Sequence, residues 1–152
     1  MLTAVLRCRA GEIRRSLDRG SRFIKSIQRE DGSWYGSWAV CFTYANWFGV
    51  WGLMSAGESY ETSAAIRKCV EFTLSKQREN GGWGESYLSC QDKARRGAKR
   101  ASLPTPGCWA WSNPARRSQV YSDLPEGRSH VVNTAWAMMT LIATGQQDRD
   151  RT

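Results

Sequence analysis

The sequence is poor in the residues from which metal sites are built. It has a single histidine, and its five cysteines form no Cys-x-x-Cys pair: they are Cys8, Cys41, Cys69, Cys90 and Cys108. A zinc-type cluster needs His and Cys ligands at close spacing. We therefore expect no metal site and no cofactor, and we predict reduced, mostly buried thiols in a cytosol-facing protein.

Long apolar runs are also missing. No segment approaches the roughly 18 to 20 apolar residues of a spanning helix, and the opening Met-Leu-Thr-Ala-Val is too short for the apolar core of a signal peptide. We expect no transmembrane helix. Strand-like alternation of useful length is absent as well, which favours an all-α protein.

Acidic residues are absent from residues 94–119, and this segment explains most of the formal net charge of +8. It holds six basic residues: Arg95, Arg96, Lys99, Arg100, Arg116 and Arg117. Its many Pro and Gly residues predict an irregular, disordered insertion. Basic residues without a fold around them bind phosphate only weakly, so we expect no nucleic-acid partner.

Tryptophan and glycine, by contrast, are abundant, with eight Trp and 14 Gly, and they belong to an internal repeat. Residues 23–37 match residues 72–86 at eight of fifteen positions with an offset of 49. Each copy turns at Asp-Gly or Asn-Gly-Gly, residues that tolerate the left-handed backbone at which a helix stops. A repeat of this kind indicates stacked structural units.

Helices of two kinds alternate along the chain. Amphipathic helices precede the repeat copies, marked by Ile13, Leu17, Ile24 and Ile27 in the first and by Ile66, Cys69, Val70, Phe72 and Leu74 in the second. Residues 41–56 and 130–145 form helices that are apolar nearly all round, which predicts burial on every side. The alternation predicts a partial α/α barrel with outer and inner helices. A flat helical solenoid is the alternative.

The repeat units resemble the QW motif, Gln-x(2-5)-Gly-x-Trp, of squalene and oxidosqualene cyclases. The structural motif residues are Gln28, Gly32 and Trp34 in the first unit and Gln77, Gly81 and Trp83 in the second. Longer strings, such as Asp-Gly-Ser-Trp-Tyr-Gly-Ser-Trp ending at Trp38 and Cys-Phe-Thr-Tyr ending at Tyr44, also resemble the eukaryotic oxidosqualene cyclases, plant triterpene synthases especially. The resemblance implies a C-terminal-half piece of such a cyclase.

The resemblance covers residues 11–93 and 120–150, beside a divergent N-terminus at residues 1–10. Residues 94–119 have no counterpart in the family, and our hypothesis is that they derive from an intron retained in frame. The family implies a 2,3-oxidosqualene-type hydrophobic substrate and no cofactor. It also implies an intracellular protein at the endoplasmic-reticulum membrane surface or a lipid droplet.

The resemblance also assigns a candidate substrate cavity. Cyclases of this kind steer a carbocation through ring closures, and aromatic faces stabilise a cation without offering a lone pair that would quench it. By resemblance Trp38 lines the cavity, and Phe42, Tyr44 and Trp47 are further candidates. Packing in a buried helix is the alternative explanation for all four aromatic residues.

No catalytic residue can be assigned. The family's proton donor is the first Asp of an Asp-Cys-Thr-Ala-Glu motif, and none of the six Asp residues here is followed by Cys. We interpret Glu85 as a turn residue that bonds backbone and His130 as a helix-start residue, not as acids. The family also usually has Gly where Ala39 and Ala45 stand and Thr where Asn46 stands.

We therefore predict an inactive part of an intramolecular transferase of triterpenoid or sterol biosynthesis. A prenyltransferase β-subunit, which shares the barrel, is one alternative, but its Asp-x-Cys zinc-ligand pair does not occur here. A noncatalytic binding module that uses the basic segment is another.

Overall fold

The computed structural model describes residues 2–36, 40–90 and 119–149, with side chains described from residue 9 onward. Four α-helices follow one another: α1 (Leu2–Ser26), α2 (Thr43–Ser55), α3 (Ala64–Ser75) and α4 (Val131–Ala143). Within those ranges the backbone pairs as β structure only in an isolated bridge between Glu85 and Asp123. The all-α prediction is confirmed. None of the described helices combines the length and apolar character needed to cross a membrane.

The outer helices are α1 and α3. The apolar stripe predicted for α3 is confirmed, because Ile66 and Val70 are fully buried and Leu74 is 5% exposed. In α1 only the C-terminal end of the stripe packs: Ile24 and Ile27 join the core, whereas residues 9–20 are all exposed. The predicted apolar stripe of α1 therefore extends from the end that packs on the core into the exposed residues 9–20.

The inner helices α2 and α4 pack against each other, and α2 also contacts both outer helices. Their bounds lie within the predicted ranges 41–56 and 130–145. The prediction that they are buried on every side is wrong, because Phe48 is 63% and Ile142 57% exposed. Among the described residues each inner helix therefore keeps an exposed apolar face, as an arc of a barrel requires.

Both repeat copies turn at a glycine with a left-handed backbone, as predicted. Gly32 has φ 86° and Gly81 has φ 81°. Their surroundings differ, because a Cβ on Gly32 would overlap the carbonyl oxygen of Lys68 in α3, whereas a Cβ on Gly81 would meet nothing within 4 Å. The first copy is therefore packed against an outer helix where the second is open.

This contrast predicts unequal costs for the same substitution. Gly81→Ala should lower the free energy of unfolding by about 1 kcal/mol, from backbone strain alone. Gly32→Ala should lower it by roughly 2 to 3 kcal/mol, because the overlap with Lys68 adds to that strain. Urea unfolding of the two variants tests the difference, and equal midpoints would contradict the packing at Gly32.

Candidate functional site

The glutamines of the two repeat units hold the turns that follow the outer helices. Gln28 Nε2 donates to the carbonyl oxygens of Gly32 and of Ala65, both at 2.8 Å. Gln77 Nε2 donates to the carbonyl oxygen of Gly81 at 3.0 Å. Because Ala65 lies in the first turn of α3, Gln28 joins the end of one outer helix to the start of the next.

The tryptophans of the same units are almost fully enclosed and make equivalent bonds. Trp34 is 3% and Trp83 2% exposed. Trp34 Nε1 donates to the carbonyl oxygen of Ile24 at 2.8 Å, and Trp83 Nε1 donates to that of Thr73 at 2.7 Å. Each acceptor lies ten positions before its tryptophan in the last turns of an outer helix. Each indole therefore donates to a carbonyl at the end of an outer helix, where carbonyl groups lack part of their helical hydrogen bonds.

The backbone of each tryptophan is fastened to an inner helix. The N–H of Trp34 donates to Asn46 Oδ1 in α2 at 2.8 Å, and that of Trp83 to Thr134 Oγ1 in α4 at 3.0 Å. Asn46 stands where the family usually has Thr, and its side-chain oxygen accepts the same kind of bond as Thr134. This departure from the family pattern therefore keeps the contact between repeat turn and inner helix.

The open side of the inner helices carries an aromatic row, which we call the aromatic wall: Tyr44, Trp47, Phe48, Trp51 and Trp136. The four α2 members are spaced three and four residues apart and so share one face of the helix. The Tyr44 ring lies 6.1 Å from that of Phe48 and 5.7 Å from that of Trp136 in α4, and Trp47 lies 4.8 Å from Trp51. Two of the predicted cavity residues, Tyr44 and Trp47, thus lie on one surface.

Trp136 is a member of the aromatic wall for which the sequence predicted no role. It lies in the predicted inner helix 130–145, but nothing in the chain order indicates that its ring meets Tyr44. Only the packing of α2 on α4 brings the two rings together.

Phe42 lies elsewhere, in a packed cluster at the start of α2. It is 0% exposed. Its ring lies 5.4 Å from that of Tyr35, 6.1 Å from that of Phe72 and 5.9 Å from that of Tyr121, with the Arg29 guanidinium carbon 5.3 Å from its centroid. Its assignment to the substrate cavity stays a prediction. Trp38, the other predicted lining residue, lies outside the described residues, as do residues 94–118 of the basic segment.

Glu85 is the best-connected polar side chain of this region. It is 2% exposed, and its Oε1 accepts from the N–H groups of Cys41 (2.7 Å) and Phe42 (2.9 Å). Its Oε2 accepts from the N–H (2.8 Å) and the hydroxyl (2.6 Å) of Thr43. A carboxylate at this place accepts from N–H groups that the start of the helix leaves free, and its negative charge interacts favourably with the positive end of the α2 dipole. The prediction that Glu85 bonds backbone is confirmed.

Glu85 also connects α2 to α4. Its carbonyl oxygen accepts from Asn133 Nδ2 at 3.0 Å, and Asn133 is 1% exposed. One residue therefore fixes the N-terminal ends of both inner helices. The sequence indicated backbone bonding by Glu85 but not which helix it would cap.

Three further titratable side chains of the described residues are Tyr121, Cys69 and His130. Burial, aided by the charges of Glu85 and Asp123, raises the pKa of Tyr121 above its usual range. Burial likewise raises the pKa of the Cys69 thiol. His130 caps α4 by accepting from the N–H of Val132 at 3.3 Å, which confirms its prediction as a helix-start residue.

The prediction of reduced cysteines fails for one pair. Cys41 and Cys90 form a disulfide, with Cα atoms 5.8 Å apart, whereas Cys69 is free and buried. The two paired cysteines are 49 positions apart, the offset of the repeat. Glu85 holds the second repeat segment against the start of α2, which brings the equivalent positions side by side.

Comparison with known proteins agrees with this architecture. The family model of the squalene-hopene cyclase C-terminal domain matches residues 1–113. This range includes the first ten residues and part of the basic segment, so the boundaries inferred from the sequence stay predictions.

Characterised relatives match over most of the chain. An alpha-onocerin synthase from Lycopodium clavatum is 44% identical over 93% of this chain and 15% of its own length. A lanosterol synthase from Saccharomyces cerevisiae is 38% identical over 88% and 14%, and a cycloartenol synthase from Dictyostelium discoideum 42% over 93% and 16%. The chain spans about one-seventh of the length of these relatives. It belongs to the squalene-hopene cyclase C-terminal domain family, an all-α toroid family, and is related to part of an oxidosqualene cyclase.

Proposed function

We propose that this chain supplies part of the wall of a cavity in which a 2,3-oxidosqualene-type substrate is cyclised, and that it does not catalyse cyclisation alone. The observation that carries the proposal is the aromatic wall across α2 and α4. The Tyr44 ring lies 5.7 Å from that of Trp136 across the two helices, and within α2 the Tyr44–Phe48 and Trp47–Trp51 pairs lie at 6.1 and 4.8 Å. Together the two pairs of α2 and Trp136 form an aromatic surface on the open side of the inner helices. Such a surface stabilises a passing carbocation through the ring quadrupoles.

The rest of the described chain supports this wall. Trp34 and Trp83 fasten the inner helices to the outer ones, and Glu85 holds the starts of α2 and α4 together. Rings mounted on helices fixed at several points keep their positions while the substrate changes shape, which favours one course of ring closure.

The lack of catalysis follows from the missing proton source. Opening an epoxide needs a strong general acid, and in the family that acid is the Asp of Asp-Cys-Thr-Ala-Glu, which this chain does not contain. The chain should therefore give no cyclic product when it is expressed in yeast that lacks lanosterol synthase and is supplied with 2,3-oxidosqualene. Gas chromatography with mass spectrometry tests this, and any tetracyclic or pentacyclic product would contradict the proposal.

A segment exchange tests the wall directly. Residues 11–93 joined to 120–150 would replace the matching part of the yeast lanosterol synthase, which is 38% identical to this chain. We expect retained cyclisation, and a loss of about tenfold or more in turnover with Tyr44→Ala, because one cation-stabilising ring is removed. Tyr87→Ala is the matched control, since Tyr87 is 65% exposed and outside the wall. Equal turnover in the Tyr44 and Tyr87 variants would remove the support for a wall function.

A further inference from the structure

We propose that a second copy of this chain docks head to tail on each end of the helical arc, through the contact that already joins its two repeat units. The first unit consists of α1, its repeat turn and α2, and the second of α3, its repeat turn and α4. Inside the chain the two units meet where α2 packs against α3 and α4. Among the described residues no unit precedes the first or follows the second, so each end keeps one open half of this contact.

The two inner helices can be matched position by position. Asn46 in α2 and Thr134 in α4 each accept the backbone N–H of the preceding repeat tryptophan, so these two positions are equivalent. The same shift places Gly57 on Gly145, and both glycines follow an inner helix with a positive φ, 92° and 69°. The two anchors agree at both ends of the helices, so each α2 residue has a defined counterpart in α4.

The second unit ends in an open apolar patch on α4, which we call the leading patch: Met138 and Ile142. Their counterparts in α2 are Val50 and Met54, which pack in the core that α2 shares with α3 and α4. Val50 is fully buried, whereas Met138 is 48% and Ile142 57% exposed. The side of α2 that a following unit covers is therefore bare in α4.

The first unit begins with the complementary surface, which we call the trailing patch: Leu17 of α1 and Phe48 of α2. By the repeat offset of 49, Leu17 corresponds to Ile66 of α3, which is fully buried, whereas Leu17 is 42% exposed. Phe48 corresponds to Trp136 of α4, whose ring lies 5.7 Å from that of Tyr44 in the unit before it. Phe48 is 63% exposed, because no described unit stands before it.

The repeat turns carry the same difference. Gly32 lies so close to α3 that a Cβ on it would overlap the carbonyl oxygen of Lys68, whereas a Cβ on Gly81 would meet nothing within 4 Å. The residue of α1 equivalent to Lys68 is Arg19, on the exposed part of that helix. A second copy docked in register would bring its Arg19 carbonyl against Gly81, where only a glycine leaves room.

A second copy fits these two patches better than an unrelated partner. Each copy carries both halves of a contact that its own units already make, at the same spacing along outer and inner helices. The patches lie at opposite ends of the arc, so the docking is heterologous and extends into open chains or rings. Each added copy then gives the terminal unit the neighbour that stacked repeats need.

The net charge opposes this association. At a formal charge of +8, two copies repel each other, and salt screens that repulsion. Apolar burial drives the contact, so association should tighten as salt is raised. Association needs no substrate, and the inference is therefore independent of the proposed wall function.

Sedimentation velocity of the full chain tests the docking. The weight-average mass should rise from that of a monomer at about 1 μM to that of dimers and longer assemblies at about 100 μM. Met138→Glu with Ile142→Glu removes the leading patch, and Leu17→Glu with Phe48→Glu removes the trailing patch. Each variant alone should associate at least about tenfold more weakly than the unchanged chain. An equal mixture of the two should form one-to-one dimers and nothing larger, because each variant keeps the patch that the other lacks.

The matched control is Tyr87→Glu with Leu88→Glu, since both side chains are exposed and belong to neither patch. This variant should associate within about twofold of the unchanged chain. Circular dichroism checks that each variant is folded. Where a Glu pair unfolds the chain, the corresponding Ser pair takes its place, because it removes the apolar patch without adding charge.

A chain that stays monomeric at about 100 μM would overturn the proposal, and the open patches would then require a partner of different sequence. A patch variant that still dimerises alone would overturn it as well, because one patch would then pair with itself. So would an equal mixture that remains monomeric, or a Tyr87 and Leu88 variant that loses association as the patch variants do.

Discussion

Glu85→Ala should lower the free energy of unfolding by about 4 kcal/mol, among the largest effects of any single substitution in the chain. The substitution leaves the N–H groups of Cys41, Phe42 and Thr43 buried without an acceptor. Each such donor loses a hydrogen bond to a charged group and gains no water in exchange. Urea unfolding followed by tryptophan fluorescence measures the loss.

Two further variants show whether the cap is the cause. Glu85→Gln keeps one acceptor oxygen and should be destabilised by about half as much as Glu85→Ala. Glu79→Ala removes an exposed carboxylate from the same repeat unit and should change stability by less than about 0.5 kcal/mol. If Glu85→Ala and Glu79→Ala unfold at the same urea concentration, the capping role of Glu85 is wrong.

Trp34→Ala should cost about 4 kcal/mol, mainly through the cavity that the lost ring leaves. The ring is 3% exposed and packs so closely on α2 that a Cβ on Gly49 would lie 2.6 Å from it. Trp34→Phe keeps part of this packing but removes the donor to the carbonyl oxygen of Ile24. It should therefore cost about 1 to 2 kcal/mol.

Trp51→Ala is the control for that pair of variants. Trp51 is 51% exposed and belongs to the aromatic wall, so its removal should cost less than about 1 kcal/mol in stability. Thermal and urea unfolding of the three variants should rank them Trp34→Ala, Trp34→Phe and Trp51→Ala, from least to most stable. A Trp51 variant as unstable as Trp34→Ala would contradict the role of Trp34 in joining the outer helices to the inner ones.

Much of the fold was predictable because local rules govern it. The 3.6-residue spacing of Ile66, Val70 and Leu74 determines which face of α3 can be buried. The glycines at Gly32 and Gly81 determine where a chain can turn with a positive φ. These features depend on residues only a few positions apart, so the sequence indicates them directly.

The site was predictable in part. Tyr44 and Trp47 were named as candidate cavity residues, with packing as the alternative, and their role in a cavity stays a prediction. Helical spacing alone places them with Phe48 on one face of α2. The ring of Trp136 was missed because its neighbour Tyr44 is distant in the chain. Phe42 belongs to the same predicted helix, yet it directly precedes the first residue of α2 and its ring packs against those of Phe72 and Tyr121. The sequence indicates which residues share a face of the helix, but it does not indicate which other residues pack against each face.

By itself the sequence determined the four helices, the two repeat turns and the absence of an Asp-Cys acid, since each rests on residue types at short spacing. The tertiary structure alone decided that Glu85 caps α2, that Cys41 pairs with Cys90, and that the inner helices keep an open aromatic face. The reason is physical: a cap, a disulfide and a buried face each require two segments far apart in the chain to meet, and their meeting depends on how whole helices pack.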